Sequence, residues 1–383
     1  MRQMDKHDDK QKCSLLSWLE NHLNAVILVS CGLIIIVPFI FSLPAFCRFF
    51  EVHEGHNVGD AIGGITAPII GIVSILLLCI TLKAQKDAEY RSALENRIFQ
   101  MISLHRKNVD GMHSEAKNLD GQDVFNMISG QISDCVEDVS PFLEGQDYKI
   151  IFKDSFAQEL LRTRPDIDML SFAKLDIAYS TVYVGVKEEN LPTLRNLLLK
   201  RYREDFIGPL IMFLALRQVR NNKDANKEWE KLRGETVAEK LLIAREIKEE
   251  GFSSPRVNKK VLMDYSELGS DKGPKLYWGH TFRLGHYFRH LYSTIEYIDS
   301  QTQLSEDEKY GYVKILRTQL SSTEQMVFLA NSFSDMGGPW ELFNKEKDPK
   351  RFITTYNLIK NIPQEVVYGV KYREVYPDVD YEF

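Results

Sequence analysis

The sequence predicts a mainly α-helical protein, with an N-terminal two-helix transmembrane hairpin followed by an α-helical cytoplasmic domain. Two uncharged runs, residues 24–46 and 61–82, carry the first half of that expectation. Apolar residues recurring at three- and four-residue spacing beyond residue 83, with no βαβ rhythm, carry the second. Each uncharged run is long enough to cross about 30 Å of hydrocarbon at a rise of about 1.5 Å per residue. In lipid only a helix satisfies the backbone of such a segment by itself.

A cleaved signal peptide fits the first run poorly. Its apolar core is too long, no small-x-small cleavage site follows, and a second run comes soon after. Lysine and arginine set the orientation. Arg2, Lys6, Lys10 and Lys12 precede the first run, and Lys83, Lys86, Arg91 and Arg97 follow the second. The connecting loop 47–60 has only Arg48 beside Glu51, Glu54 and Asp60. The positive-inside rule therefore places both termini in the cytoplasm and the loop outside, in the periplasm if the membrane is a bacterial inner membrane.

Residues 1–23 form a polar tail of mixed charge, with Trp18 where an interfacial aromatic would sit. Pro38 and Pro44 would kink or end the first span. In the second, Gly63, Gly64, Ala67, Gly71 and Ser74 fall near one helical face. Small residues there let helices approach closely, either within one hairpin or between copies that self-associate into a pore. Neither span holds an acid, a base or a histidine, which disfavours a proton relay or a transporter site.

Past residue 83 the chain is charged and helical in rhythm to about His113. Gln122–Val139 reads as an amphipathic helix on Phe125, Ile128, Ile132, Val136 and Val139. Residues 165–186 and 194–219 are further long apolar-periodic runs. The cations Arg195, Lys200, Arg201 and Arg203 in the second read as a solvated face. Residues 221–234 read as a loop or a frayed helix, and 237–250 as a helix ended by Gly251. Residues 251–275 hold Gly, Ser, Pro and Asp without period, as a long functional loop would. Thr281–Ser300 is the clearest soluble helix, with Leu284, Phe288, Leu291, Ile295 and Ile298 as its stripe. Ser305 with Glu308, and Ser321 with Glu324, have the spacing of capping boxes. An extended aromatic tail closes the chain.

The net charge of −6 advertises no affinity for nucleic acid over the whole chain. Five cysteines, Cys13, Cys31, Cys47, Cys79 and Cys135, form no CxxC and suit a reducing cytosol. There is no phosphate-binding loop, dinucleotide fingerprint, nucleophile elbow or His-Glu-x-x-His. No cofactor or resident metal is expected, and a non-enzymatic role leads. The concentrated polar set is Trp278, His280, Arg283, His286, Arg289 and His290. His286 and His290, four apart, could share a metal, but no nearby carboxylate or cysteine completes a shell. Arg283 and His290, seven apart, lie near one face. They resemble the Arg-x(4–6)-His element of HEPN-type ribonucleases, which implies an alternative role as catalytic residues on RNA phosphates. The set could equally be a buried polar network.

Four blocks occur in order: Phe99–His105, Gly285–Tyr292 (GHYFRHLY), Lys309–Glu324 and Tyr356–Asn361. In these the chain resembles the phage abortive infection family called AbiC-like, over about residues 99–362. That family commonly carries two N-terminal transmembrane helices. Its pattern puts an Asn after the first histidine, where Arg106 stands here. The resemblance implies antiviral defence by killing or arresting the infected cell. The chain also looks like the two-transmembrane effector of bacterial retrons. That likeness implies a partner, a reverse transcriptase with its RNA–DNA product, that holds a membrane-permeabilising toxin silent. His105, His280, Arg283, His286, Arg289 and His290 would then shape the sensing core or partner surface.

Overall fold

The computed structural model describes residues 32, 36, 55–114, 118–219, 221–250, 263–268, 274–343 and 349–383. Apart from residues 32 and 36, the first uncharged run lies outside the described residues, as do residues 47–54 of the loop after it and most of the aperiodic stretch 251–275. The chain divides into two units, residues 1–97 and 98–383.

In the first unit the described backbone is helical. Helix α1 (Gly55–Asp110) continues without a break through the second uncharged run and into the charged segment after it. Past Lys83 its surface carries pairs one turn apart, such as Arg91–Glu95 at 3.3 Å. Among the described residues no helix is long and apolar enough to cross a membrane. The run nevertheless displays Ile70, Ile72, Ile75, Leu78 and Leu82, each at least 46% exposed. Gly63, Gly64 and Gly71 have no described neighbour within 4 Å of where a Cβ would stand.

Among its described residues the second unit is mainly helical, with isolated bridges and one short hairpin, β1 (His113–Ser114) with β2 (Leu119–Asp120), paired antiparallel. Its centre is helix α2 (Gln122–Leu143) against a helix that begins at Met169. The stripe of α2 foreseen in the sequence is buried: Phe125, Ile128 and Ile132 are fully covered. After α3 (Asp154–Thr163), Asp168 caps α4 (Met169–Val184) by accepting from the Leu170 N–H. α4 buries residues on every side, as a helix at the middle of a core does.

The long run 194–219 is two helices, α5 (Leu191–Leu198) and α6 (Glu204–Leu214). Arg195, Lys200 and Arg203 are exposed, as a solvated cationic face requires, but Arg201, in the break between the helices, is buried. It donates to Asp176 of α4 at 2.9 Å and to the Phe333 carbonyl at 2.8 Å. Tyr202 donates to the same carboxylate at 2.7 Å. The rings of Phe156, Phe172 and Phe343 enclose the guanidinium, with centroids at 5.1, 5.7 and 4.5 Å. A charge taken from water needs this degree of pairing.

Residues 223–234 also depart from expectation. They form α7 (Lys223–Gly234), capped by Asn222 and fastened by buried Ala225, Trp229 and Leu232. Too few apolar residues mark that stripe for its period to stand out. α8 (Val237–Arg245) opens on a Thr236–Glu239 capping box and runs into a π-helical turn, Glu246–Glu250.

The clearest soluble helix is present as α9 (Thr281–Asp299), with all five stripe residues buried. Both foreseen capping boxes form, opening α10 (Glu306–Arg317) and α11 (Ser322–Phe333). α11 packs on both α2 and α4. The C-terminal tail is not simply extended: Tyr372 and Tyr376 are buried around a short helix, Tyr372–Val375.

Extended residues 274–280 place α9. On one side Leu276 N–H donates to the Arg217 carbonyl, and Val219 N–H to that of Pro274. On the other, Val186 N–H donates to the Tyr277 carbonyl and His280 N–H to that of Tyr183. At the crossing Gly185 and Gly279 adopt φ of +90° and +95°. A Cβ on Gly279 would lie 2.5 Å from the Val184 carbonyl oxygen, and one on Gly185 2.7 Å from Gly279 N. Only glycine allows both the left-handed backbone and this approach. Gly279→Ala is expected to cost about 2 kcal/mol or more. It should lower the thermal unfolding temperature of the detergent-solubilised protein by several degrees. Gly234→Ala, with nothing within 4 Å of its Cβ and no positive φ, should not.

Candidate functional site

The polar set on and around α9 separates into an interior part and a surface part. His280, just before the helix, is buried and bonded through Nε2 to Gln131 Oε1 of α2 at 2.7 Å. Two turns on, Tyr287 is buried between His105 and Phe125, each ring centroid 4.8 Å from its own. His290 stacks on His105 at 5.9 Å, with ring planes 21° apart. His105, His290 and Tyr287 thus form an internal ring stack between α1 and α9.

Neither nitrogen of His105 has a hydrogen-bond partner among the described residues. Burial, reinforced by the neighbouring charges of His290 and Arg106, holds its pKa down to about 3. His290 is lowered too, by burial and then by His286. Both rings are therefore neutral in the folded protein at pH 7.

Arg283 and His286 lie on the other side, at an open cleft of about 1130 Å³. Arg283 Nε donates to the His113 carbonyl at 2.8 Å. Around it stand Lys187, Lys275, Trp278 and Phe282. Arg289 faces a third place, a smaller pocket with Tyr183, Glu296 and Trp340, and its Nε donates to the Gly285 carbonyl one turn back. Sequence spacing put Arg283 and His290 on one face. In the structure Arg283 borders the cleft while His290 lies in the ring stack with His105. Among the described residues no group of three or more His, Cys, Asp or Glu is placed to hold a metal ion.

Local periodicity missed the rest of the cleft. His113 and Asn108 come from the end of α1 and the hairpin, and Lys187 and Asn190 from the turn after α4. One signal was present: Phe282 lies off the Leu284–Phe288 stripe, and a large apolar residue there has no place in the core.

A second buried network anchors the segment leading into α9. Asp138 of α2 accepts from Tyr277 Oη at 2.7 Å and faces Arg217 at 3.9 Å and Arg233 at 3.6 Å. Burial outweighs these partners and pushes its pKa up to about 6.

This is a helical chain whose most concentrated polar surface gathers around one helix start. Its residues 279–367 match the family model described as putative phage abortive infection protein. The match opens at the glycine crossing and takes in three of the four blocks noted in the sequence, from Gly285 to Asn361. No curated protein and no solved structure matches the chain.

The unpaired His105 ring has a measurable consequence. Its folded pKa lies below the ordinary 6.5, so a protonated ring must shed its proton for the chain to fold. His105 therefore removes stability as pH falls from about 6.5 towards 3, by roughly 1.4 kcal/mol per pH unit at most. Asp138, raised rather than lowered, acts oppositely and removes stability as pH rises from about 4 to 6. His105→Phe keeps the ring and deletes two unsatisfied nitrogens, so it is expected to be within about 1 kcal/mol of the parent at pH 7, or more stable. It should also lose less stability between pH 7 and 5. Thermal unfolding at both pH values reads the difference, and a large loss at pH 7 would mean that the nitrogens hold a partner.

Proposed function

We propose that the chain is an effector of antiphage defence at the bacterial inner membrane, killing or arresting the infected cell by membrane disruption. The observation that carries the defence role is the abortive infection match over residues 279–367. The membrane role is supported by the uncharged run 61–82 and by the aliphatic side chains that α1 displays along it. Such a surface in water would expose several large side chains, each worth about 1.5–3 kcal/mol on burial. In lipid it is the ordinary surface of a spanning helix.

In this reading the hairpin spans the membrane with both termini inside, and the small-residue face of α1 lets copies associate. A partner holds the helical domain silent until infection. A reverse transcriptase with its RNA–DNA product, as in retrons, fits that role. The polar set then shapes the sensing domain and performs no reaction.

A second reading is a membrane-tethered ribonuclease using Arg283 and His290, favoured by the position of Arg283 on an open cleft. Induced expression separates the two. Uptake of a membrane-impermeant dye should precede loss of viability, and residues 83–383 alone should be harmless. Arg283→Ala and His290→Ala should leave dye uptake in place if the membrane is the target. Cleaved RNA in cells with intact membranes, abolished by both substitutions, would instead establish the ribonuclease.

A further inference from the structure

We propose that the pocket between the end of α4, the exposed face of α9 and the turn after α11 takes the carboxyl terminus of a partner protein, with a basic side chain two residues before that end. Three features set this choice: a donor pair for one carboxylate, an aromatic floor, and an acid two turns further along α9.

The donors meet over Gly285. Arg289 runs back along α9, and its Nε donates to the Gly285 carbonyl at 2.9 Å. A Cβ on Gly285 would lie 2.9 Å from Tyr183 Oη, so this phenol rests on the same turn. Both side chains line the pocket, whose volume is about 580 Å³. Among the described residues the terminal nitrogens of Arg289 and the Tyr183 hydroxyl have no bonded partner. Burial holds the Tyr183 phenol above its ordinary pKa against the pull of Arg289, so it remains an O–H donor. A guanidinium fork with one hydroxyl beside it matches a single carboxylate.

The floor is aromatic. Tyr292 and Trp340 line the same pocket and meet edge to face, with ring centroids 5.0 Å apart. Trp340 Nε1 donates to Asn331 Oδ1 at 3.2 Å, and Asn331 donates to Tyr179 Oη at 2.9 Å. Tyr179 in turn stacks on Tyr183, with centroids 5.8 Å apart. One chain of contacts therefore fixes the floor and the phenol relative to each other before any ligand arrives. Such a surface suits the last side chain of a peptide.

The acid is Glu296, which lines the pocket two turns beyond Arg289, about 10 Å of helix rise. A phosphate chain laid along α9 would meet it as a like charge. Among the described residues that line the pocket, Arg289 is the single cation, enough for a carboxylate but not for a polyanion. A basic side chain meets Glu296 as an opposite charge instead. An extended peptide advances about 3.3–3.6 Å per residue, so a lysine or arginine two residues before the terminal carboxylate spans the distance.

Position in the chain is a separate observation. Every described lining residue except Tyr183 lies within residues 279–367, the segment that matches the abortive infection family model. The larger cleft at the start of α9 draws most of its wall from outside that segment. A pocket built by the matched segment is where contact with a silencing partner belongs; the inference rests on that partner and not on the membrane role.

The test is titration calorimetry on the detergent-solubilised full-length chain. The probes are acetyl-Lys-Ala-Phe with a free carboxylate, the same peptide as its amide, the free acid with norleucine in place of lysine, and AMP. The free acid should bind, and the amide roughly tenfold or more weaker. Arg289→Gln should bring the free acid down to the level of the amide. Tyr183→Phe and Gly285→Ala should each weaken it roughly 2- to 10-fold, the second because its methyl group displaces the phenol. Glu296→Gln should weaken the lysine peptide roughly two- to fivefold and leave the norleucine peptide unchanged. Arg289 and Glu296 are exposed, so their variants should keep the parent unfolding temperature, and folding and binding are read separately. No binding of the free acid by a folded protein at millimolar concentration would overturn the proposal. So would the amide matching the acid, AMP binding more tightly than the peptides, or indifference to both Arg289→Gln and Glu296→Gln. Dye uptake plays no part in these readings, so the membrane role and this pocket stand or fall separately.

Discussion

Two backbones touch at Gly185 and Gly279, and the second unit is arranged by that contact. It seals the end of α4, a helix buried on every side, to the residue that starts the family match. From there the hydrogen bonds from His280 N–H and Thr281 Oγ1 to the Tyr183 carbonyl set the first turn of α9. Both faces of α9 follow from its phase at that point. Leu284, Phe288 and Leu291 go to the core, Tyr287 and His290 to the ring stack with His105, and Arg283 and His286 to the cleft. A methyl group at either glycine would push the two chains apart and move all three at once.

The interior of the unit is mainly apolar, and the polar groups within it are held by partners rather than by water. Asp176 answers Arg201 and Tyr202; Asp138 answers Tyr277 and two arginines. Asn331 donates to Tyr179 and accepts from Trp340, closing the turn after α11. Removing one member of such a set strands its partner, which costs more than the bond itself contributes. His105 differs: among the described residues its ring nitrogens have no hydrogen-bond partner, and the ring packs against Tyr287 and His290. The helix that bears it is also the one whose earlier turns display Ile70, Ile72 and Ile75.

What was legible in the sequence is what neighbours in the chain decide. The stripe of α9 and the capping boxes at Ser305 and Ser321 depend on residues three and four apart, and the structure has them. Arg201 was misread because its partners lie elsewhere: Asp176 on α4, and rings from Phe156, Phe172 and Phe343. α7 was missed because its buried face rests on Ala225, Trp229 and Leu232 alone, in an otherwise charged segment. The candidate site followed the same division. Concentration of polar residues along the chain named Arg283 and His286, but Lys187, His113 and Asn108 reach the cleft by tertiary packing. The resemblance carried by GHYFRHLY pointed to the defence family; spacing and charge alone did not.

The central claim is that residues 24–82 form a hairpin through a membrane with both chain ends on its inner side. Variants with one cysteine, at Cys47 in the loop or at Cys13 in the tail, test it through labelling of intact cells by a membrane-impermeant maleimide. The expected result is labelling of Cys47 from outside, with Cys13 labelled only after lysis. Labelling of Cys13 in intact cells, or recovery of the full-length chain in the soluble fraction without detergent or partner, would contradict it.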